Sequence, residues 1–209
     1  MKLVVLNHPL IKHKLSILRS KKTGTKEFRE LISEIAMILI YEAFKDNIEL
    51  NEIEVTTPMG KTVGYQIDEN KYVFIPILRA GLGMVDGVIK ILPNAKIGHI
   101  GMWRNEETLE PVPYYFKVPN NMKKKTAILL DPMLATGGSA TEAIAELKKI
   151  GVKDIKFIAI VAAPEGVARV KKEYPDVQIY AATLDECLND IGYIVPGLGD
   201  AGDRIFGTK

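Results

Sequence analysis

Residues 127–139 place an apolar run ahead of an acid and a short hydroxyl- and glycine-bearing turn, and a helical pattern follows to Lys149. The segment after the run reads Asp131, Pro132, Met133, Leu134, Ala135, Thr136, Gly137, Gly138, Ser139. That order builds a cradle for phosphate. Glycines let the backbone approach an anion, successive N–H groups turn inward, and the start of a helix adds partial positive charge. Thr136 and Ser139 supply hydroxyl donors, and Asp131 can accept hydrogen bonds from sugar hydroxyls. Together they point to a phosphorylated ribose. A Gly-Gly turn before a helix is also a common tight connection, and the loop carries neither the G-x-x-x-x-G-K-[ST] nor the G-x-G-x-x-G pattern.

Three further candidates lie where other apolar runs end. Arg79 stands beside Gly81 and Gly83, a fork-shaped guanidinium next to glycines that suits a diphosphate. Alone it would read as a surface arginine before a helix. Arg104 follows the run 97–102 and Trp103, and opens a polar, proline-stiffened excursion to Pro113 that is long enough to act as a lid. Trp103 reads as a packed anchor. In the tail, Gly192, Gly197, Gly199, Gly202 and Gly207 alternate with the anchors Tyr193, Ile194, Val195, Leu198, Ile205 and Phe206. A floppy end is one reading. The anchors favour another, a pocket whose main-chain groups match the alternating N–H and C=O groups of a flat ring such as uracil.

Elements that would position these residues are legible from periodicity. Residues 26–45 carry a helical pattern with a wide apolar face, one that could lie between a sheet and a neighbouring subunit. Residues 52–55 and 62–67 flank a Pro/Gly turn as a β-hairpin. From Lys71 the pattern is strand, turn, helix. Strands are predicted at 72–78, 97–102, 126–130, 155–162 and 178–182, and helices at 82–92, 139–150 and 165–174. Near-continuous apolar strands between helices predict an open α/β fold whose mainly parallel, twisted sheet binds ligands beyond its carboxyl ends. We read one domain over 1–209, with N-terminal helices and a hairpin arm (1–70), an α/β core (71–182) and a base-binding C-terminal segment (183–209).

Composition narrows the function classes. The chain has 209 residues, 47% hydrophobic and 26% charged, an ordinary balance for a globular protein with a real core. A net charge of +2 gives little general attraction for nucleic acid. The greasiest window, 35–41, falls short of the roughly 20 residues a membrane span needs. The first residues are too briefly apolar for a signal peptide. The single cysteine, Cys187, cannot form an internal disulfide, which fits a reducing cytoplasm. His8, His13 and His99 show no metal-ligand spacing, and no carboxylate cluster forms a protein cage for metal.

The cradle resembles the PRPP (5-phosphoribosyl 1-diphosphate) motif of phosphoribosyltransferases, with Pro132 where most of them carry a second acid. In that variant, and in residues 8–14, 76–83, 104–108 and 192–204, the chain resembles the uracil phosphoribosyltransferase family. The main departure is Trp103, where that family often has tyrosine. The resemblance implies the phosphoribosyltransferase fold and transfer of phosphoribose from PRPP to uracil, giving UMP and diphosphate. It also implies Mg²⁺ carried mainly on the diphosphate and, as in several members of the family, a GTP effector, while the wide apolar face of 26–45 and the hairpin arm near 57–60 point to at least a dimer. Carried onto this sequence, Arg79, Arg104, Asp131 and Asp200 would be catalytic. Arg79, Arg104, Asp200 and every residue from Asp131 to Ser139 would bind PRPP. Ile194, Gly199, Asp200 and Ala201 would bind uracil. Two rivals remain open at this level. An RNA-binding regulator would need a basic face, and a purine or orotate enzyme usually keeps the acidic pair and lacks the 192–204 pattern.

Overall fold

Three apolar runs, Tyr72–Leu78, Thr126–Leu130 and Asp154–Ala162, have almost no polar face, and such strands are stable when both sides are covered. The computed structural model, which describes residues 2–45, 48–104 and 111–208, sets them side by side at the centre of one sheet. In chain order the elements begin with β1 (Leu3–Val5), α1 (Pro9–Arg19), α2 (Thr25–Ala43), β2 (Leu50–Thr57) and β3 (Gly60–Ile67). Next come β4 (Tyr72–Leu78), α3 (Leu82–Ile91), β5 (Lys96–Ile97), β6 (His99–Arg104) and β7 (Pro111–Lys117). The cradle region holds β8 (Thr126–Leu130), β9 (Met133–Leu134) and α4 (Gly138–Lys149). After it follow β10 (Asp154–Ala162), α5 (Pro164–Glu173), β11 (Gln178–Leu184), β12 (Cys187–Leu188), β13 (Ile194–Val195) and α6 (Ala201–Phe206).

The main sheet runs β1-β11-β10-β8-β4-β6-β7, with β5 on β4 and β9 on β10. Its pairings are parallel except β6 with β7. Side chains alternate across it with the two-residue period of a strand. Phe74, Ile128, Leu130, Ile158 and Ile160 enter one core with residues of α1, α2, α3 and α6. Val73, Ile75, Ile77, Leu129 and Phe157 enter the other with residues of α4 and α5. The sheet is therefore sandwiched, and its carboxyl edge is where side chains and loops can reach a ligand.

Several expectations change in detail. The predicted strand 97–102 divides into β5 and β6, and an antiparallel strand, β7, follows where only a polar excursion was expected. Pro111 and Pro113 hid it, yet an edge strand tolerates proline because one row of its N–H groups meets no neighbour. The glycine-dense tail is not all loop, since α6 forms within it. The wide apolar face of α2 is covered inside the chain: Phe28, Ile32, Ile35, Leu39 and Ile40 are fully buried in the first core. A neighbouring subunit is not needed to explain that face. The hairpin is longer than predicted and pairs only with itself, leaving Met59, Val63 and Tyr65 exposed.

Candidate active site

Because β4, β8, β10 and β11 run in parallel, Arg79, Asp131 and Asp185, which follow three of them, share the carboxyl edge of the sheet. Asp131 is half-buried, and its Oδ1 accepts from Met133 N–H at 3.1 Å. Burial pushes its carboxyl up to about 7, against the downward pull of that hydrogen bond. Pro132 and Leu134 then tie the cradle to β10 through their carbonyls, which accept from Val161 and Ala163 N–H at 2.9 Å each. The N–H groups of Ala135, Thr136 and Gly137 meet no protein acceptor among the described residues. Gly137 caps α4 in the left-handed region, φ 80°, at the start of a twelve-residue helix whose N-terminus favours an anion. Ser139 lies in the first turn of α4. Thr136 Oγ1 accepts from Gly138 N–H at 3.4 Å.

Arg79 comes straight off β4, after a cis Leu78–Arg79 peptide, and its side chain is 57% exposed. Asp203 Oδ1 stands 3.5 Å from its Nη2, and the Phe206 ring centroid 5.7 Å from its Cζ, so α6 flanks the guanidinium. Asp200 is the N-cap of α6, its Oδ1 accepting from Asp203 N–H at 2.9 Å. A carboxylate has further lone pairs, so the cap does not exhaust its capacity as an acceptor. Ala201 opens the helix and is fully buried. Arg104 ends β6, its side chain outside what is described, and the lid expected over the segment from Arg104 to Pro113 falls largely on residues 105–110, outside the described residues.

One cavity of about 320 Å³ joins the two halves. Met133, Ala135, Thr136, Gly138 and Ser139 of the cradle line it together with Ile194 and Asp200 of the tail. Arg79, Arg104, Asp131, Pro132, Leu134, Gly137, Gly199 and Ala201 are not among its lining residues. Pro111, Gly192 and Tyr193 are; none of them was among the expected binding residues, although Gly192 and Tyr193 belong to the tail read as a base pocket and Pro111 to the lid excursion. Tyr193 and Gly192 adjoin Ile194, which is the signal that could have found them. A larger recess of about 830 Å³ sits at the root of the hairpin, away from these strand ends. Among the described residues no group of three or more His, Cys, Asp or Glu side chains could hold a metal ion.

The cradle is also held from behind. A Cβ on Gly166 of α5 would sit 2.4 Å from Ala135 O and 2.9 Å from Leu134 O, both backbone. Gly166→Ala is therefore expected to push the cradle out of place, raising about tenfold the KM of a phosphorylated ligand held there and costing about 1–3 kcal/mol of stability. Steady-state kinetics with a denaturation curve would check both, and an unchanged KM would show that the cradle does not depend on this contact. On its outer side, a Cβ on Gly138 would lie 3.5 Å from Arg169 Nη1.

Comparisons with known proteins identify the family and the fold. A family model described as uracil phosphoribosyltransferase matches residues 5–208. A relative of that name from Geobacillus sp. is 59% identical over 208 residues, covering 100% of this chain and 99% of its own. A solved structure of an Aquifex aeolicus protein matches with a TM-score of 0.94 at 44% identity, covering 99% of each chain. Adenine phosphoribosyltransferase from Trypanosoma brucei, solved with AMP, pyrophosphate and ribose-5-phosphate, matches at TM-score 0.61 and 13% identity, over 95% of this chain and 88% of its own. That last likeness concerns the fold alone. With a match that runs from residue 5 to residue 208 and 59% identity across the chain, the protein belongs to the uracil phosphoribosyltransferase family.

Proposed function

We propose that the protein transfers the 5-phosphoribosyl group of PRPP to uracil, releasing diphosphate and forming UMP, as in pyrimidine salvage. The observation that carries this reading is a cavity in which a phosphate cradle and a glycine-dense tail meet. Membership of the family supports it, and Pro132 in place of a second acid weighs against a purine or orotate enzyme. An RNA-binding role finds little support in a net charge of +2.

In the reaction the bond from the anomeric carbon to the diphosphate oxygen breaks as the bond to uracil N1 forms, through an oxocarbenium-like state. Backbone N–H groups of the cradle would hold the 5′-phosphate, and Asp131 the ribose hydroxyls. Arg79 and Arg104 would meet the charge that grows on the departing diphosphate. Uracil would lie between Met133 and Ile194, read by main-chain groups at 199–201. A cytosine amino group would then face the wrong partner, a larger penalty than poor shape.

Among the described residues the carboxylates form no cage, and a hard cation carried on phosphate oxygens and water needs none. Asp131 and Asp200 are the residues that would help hold Mg²⁺, which supplies charge neutralisation of the diphosphate when bound.

Incubating the purified protein with labelled uracil, PRPP and Mg²⁺ tests the reading, with cytosine, hypoxanthine and orotate in parallel. UMP from uracil alone is the expected result, and transfer to another base instead would sink it. Adding GTP tests the effector that the family resemblance implies, an activity rise being expected.

A homo-oligomer is supported by the hairpin. An isolated two-stranded ribbon is marginal in water, and this one exposes Met59 (95%), Val63 (61%) and Tyr65 (64%). Light scattering is expected to give at least twice the chain mass of 23.2 kDa, and a mass of one chain would refute assembly. The lone cysteine supports a cytoplasmic setting, and among the described residues no helix is long and apolar enough to cross a membrane.

A further inference from the structure

We propose that the partly buried ion pair of Arg19 and Asp185 is a positioning pair that sets base selectivity, by fixing the Gly197 backbone that leads into residues 199–201. The inference rests on the uracil reading given above. Arg19 closes α1, and Asp185 follows β11. Their contact is bidentate, Arg19 Nη1 to Asp185 Oδ2 at 2.7 Å and Arg19 Nη2 to Oδ1 at 2.5 Å. Only 3% of the Asp185 side chain is exposed. The same two groups engage both polar atoms of Gly197. Its N–H donates to Asp185 Oδ2 at 2.8 Å, and its carbonyl accepts from Arg19 Nη1 at 2.7 Å.

A second guanidinium holds the next residue. Arg204 Nη1 donates to Leu198 O at 2.8 Å and Nη2 to Ser20 O at 2.7 Å, with Cζ 4.2 Å from the Phe28 ring centroid. Carbonyl 197 is thus oriented by Arg19 at the end of α1, and carbonyl 198 by Arg204 of α6, itself tied to Ser20, immediately before the segment that would read the base. Buried ion pairs contribute little net stability, because desolvation offsets their attraction. A pair whose hydrogen bonds converge on the N–H and C=O of one residue, and so on the two peptide groups that flank it, acts instead as an alignment device. Discrimination between uracil and cytosine turns on which edge group donates, so a pocket that reads it with main-chain groups needs those groups rigidly aimed.

Two variants test the role without leaving an unpaired buried charge. Arg19→Lys keeps the charge but cannot reproduce the planar fork. The double variant Arg19→Met with Asp185→Leu removes both charges and keeps apolar volume, so the fold survives by a different route. Circular dichroism and melting curves establish folding, and kinetics follow with uracil, PRPP and cytosine. The expected result in each folded variant is a uracil KM raised at least tenfold and a reduced preference for uracil over cytosine. The PRPP KM should stay within twofold.

A merely structural role would lower the melting temperature and the active fraction while both KM values held. That outcome overturns the proposal, as does a parallel rise of both KM values. Should the wild-type protein make no UMP from uracil, the functional reading fails first and takes this inference with it. Wild-type activity with unaltered base selectivity in the variants refutes the positioning role alone.

Discussion

Replacing Arg79 by alanine is expected to lower kcat about a hundredfold, the loss of ~3 kcal/mol that follows removal of one preorganised charge contact in a transition state. The melting temperature should hardly move. Arg79 is more than half exposed, and its ion pair with Asp203 is long at 3.5 Å; surface pairs of that kind contribute about 0–1 kcal/mol. The guanidinium is therefore poorly used by the fold and well placed for a ligand. Substrate charge would be the partner that Asp203 and Phe206 only approximate. Arg79→Lys should recover part of the rate, since an ammonium keeps the charge without the bidentate fork. Stopped-flow or steady-state turnover, set beside calorimetric PRPP binding, separates rate from affinity. A normal kcat with a raised PRPP KM would mean that Arg79 only binds substrate.

Asp131→Asn should make the unliganded protein more stable and the enzyme much less active. The carboxyl is raised to about 7, chiefly by burial. A raised acid favours its protonated form in the fold, so its ionisation costs the native state stability as pH climbs from about 4 to 7. Below that window wild type and variant should melt alike. Above it the variant should be ahead, by on the order of 2 kcal/mol at pH 8 once water contact with the half-buried carboxyl is allowed for. That corresponds to a melting shift of roughly 5 °C.

Function should go the other way. Ribose hydroxyls can donate to a carboxylate and favour its charged form, so PRPP binding should expel a proton near neutral pH. Asparagine offers one carbonyl and no charge, and catalytic efficiency with PRPP should fall about tenfold to a hundredfold. Melting curves at about pH 4 and pH 8, with and without PRPP, are the check. A variant no more stable than wild type at pH 8 would rule out desolvation of Asp131 as the cause.

The sheet was legible because its central strands are apolar on both faces. Phe74 and its neighbours Val73 and Ile75 leave no register in which β4 meets water, so only helices on both sides can accommodate it. The cradle was legible for a local reason, since strand end, turn and helix start lie within thirteen residues. Other elements had weaker signals. Pro9 at the first turn of α1, capped by the His8 side chain, and Ile11, Leu15 and Leu18 at helical spacing could have been read as a helix. In α6 the Asp200 cap and the left-handed Gly207 that ends it were obscured by glycine density. The contacts of Arg19 with Asp185 join residues 166 apart, and no local pattern encodes such a meeting. Arg79 was found by its place after a strand, whereas its flanking by Asp203 and Phe206 needed the fold.

The two tethers between α1 and the tail also order the assembly of the molecule in time. They bridge 166 and 184 residues, and contacts so distant form only after the intervening chain has been gathered. The phosphate half draws on segments close in sequence, with Pro132 and Leu134 docking on Val161 and Ala163. Pulse-labelled hydrogen exchange is expected to protect Val161 before Gly197, and the reverse order would refute the sequence of events. A half-made chain would then grip a sugar phosphate but have nowhere to seat a base, so that glycosyl transfer itself becomes the certificate of a finished fold.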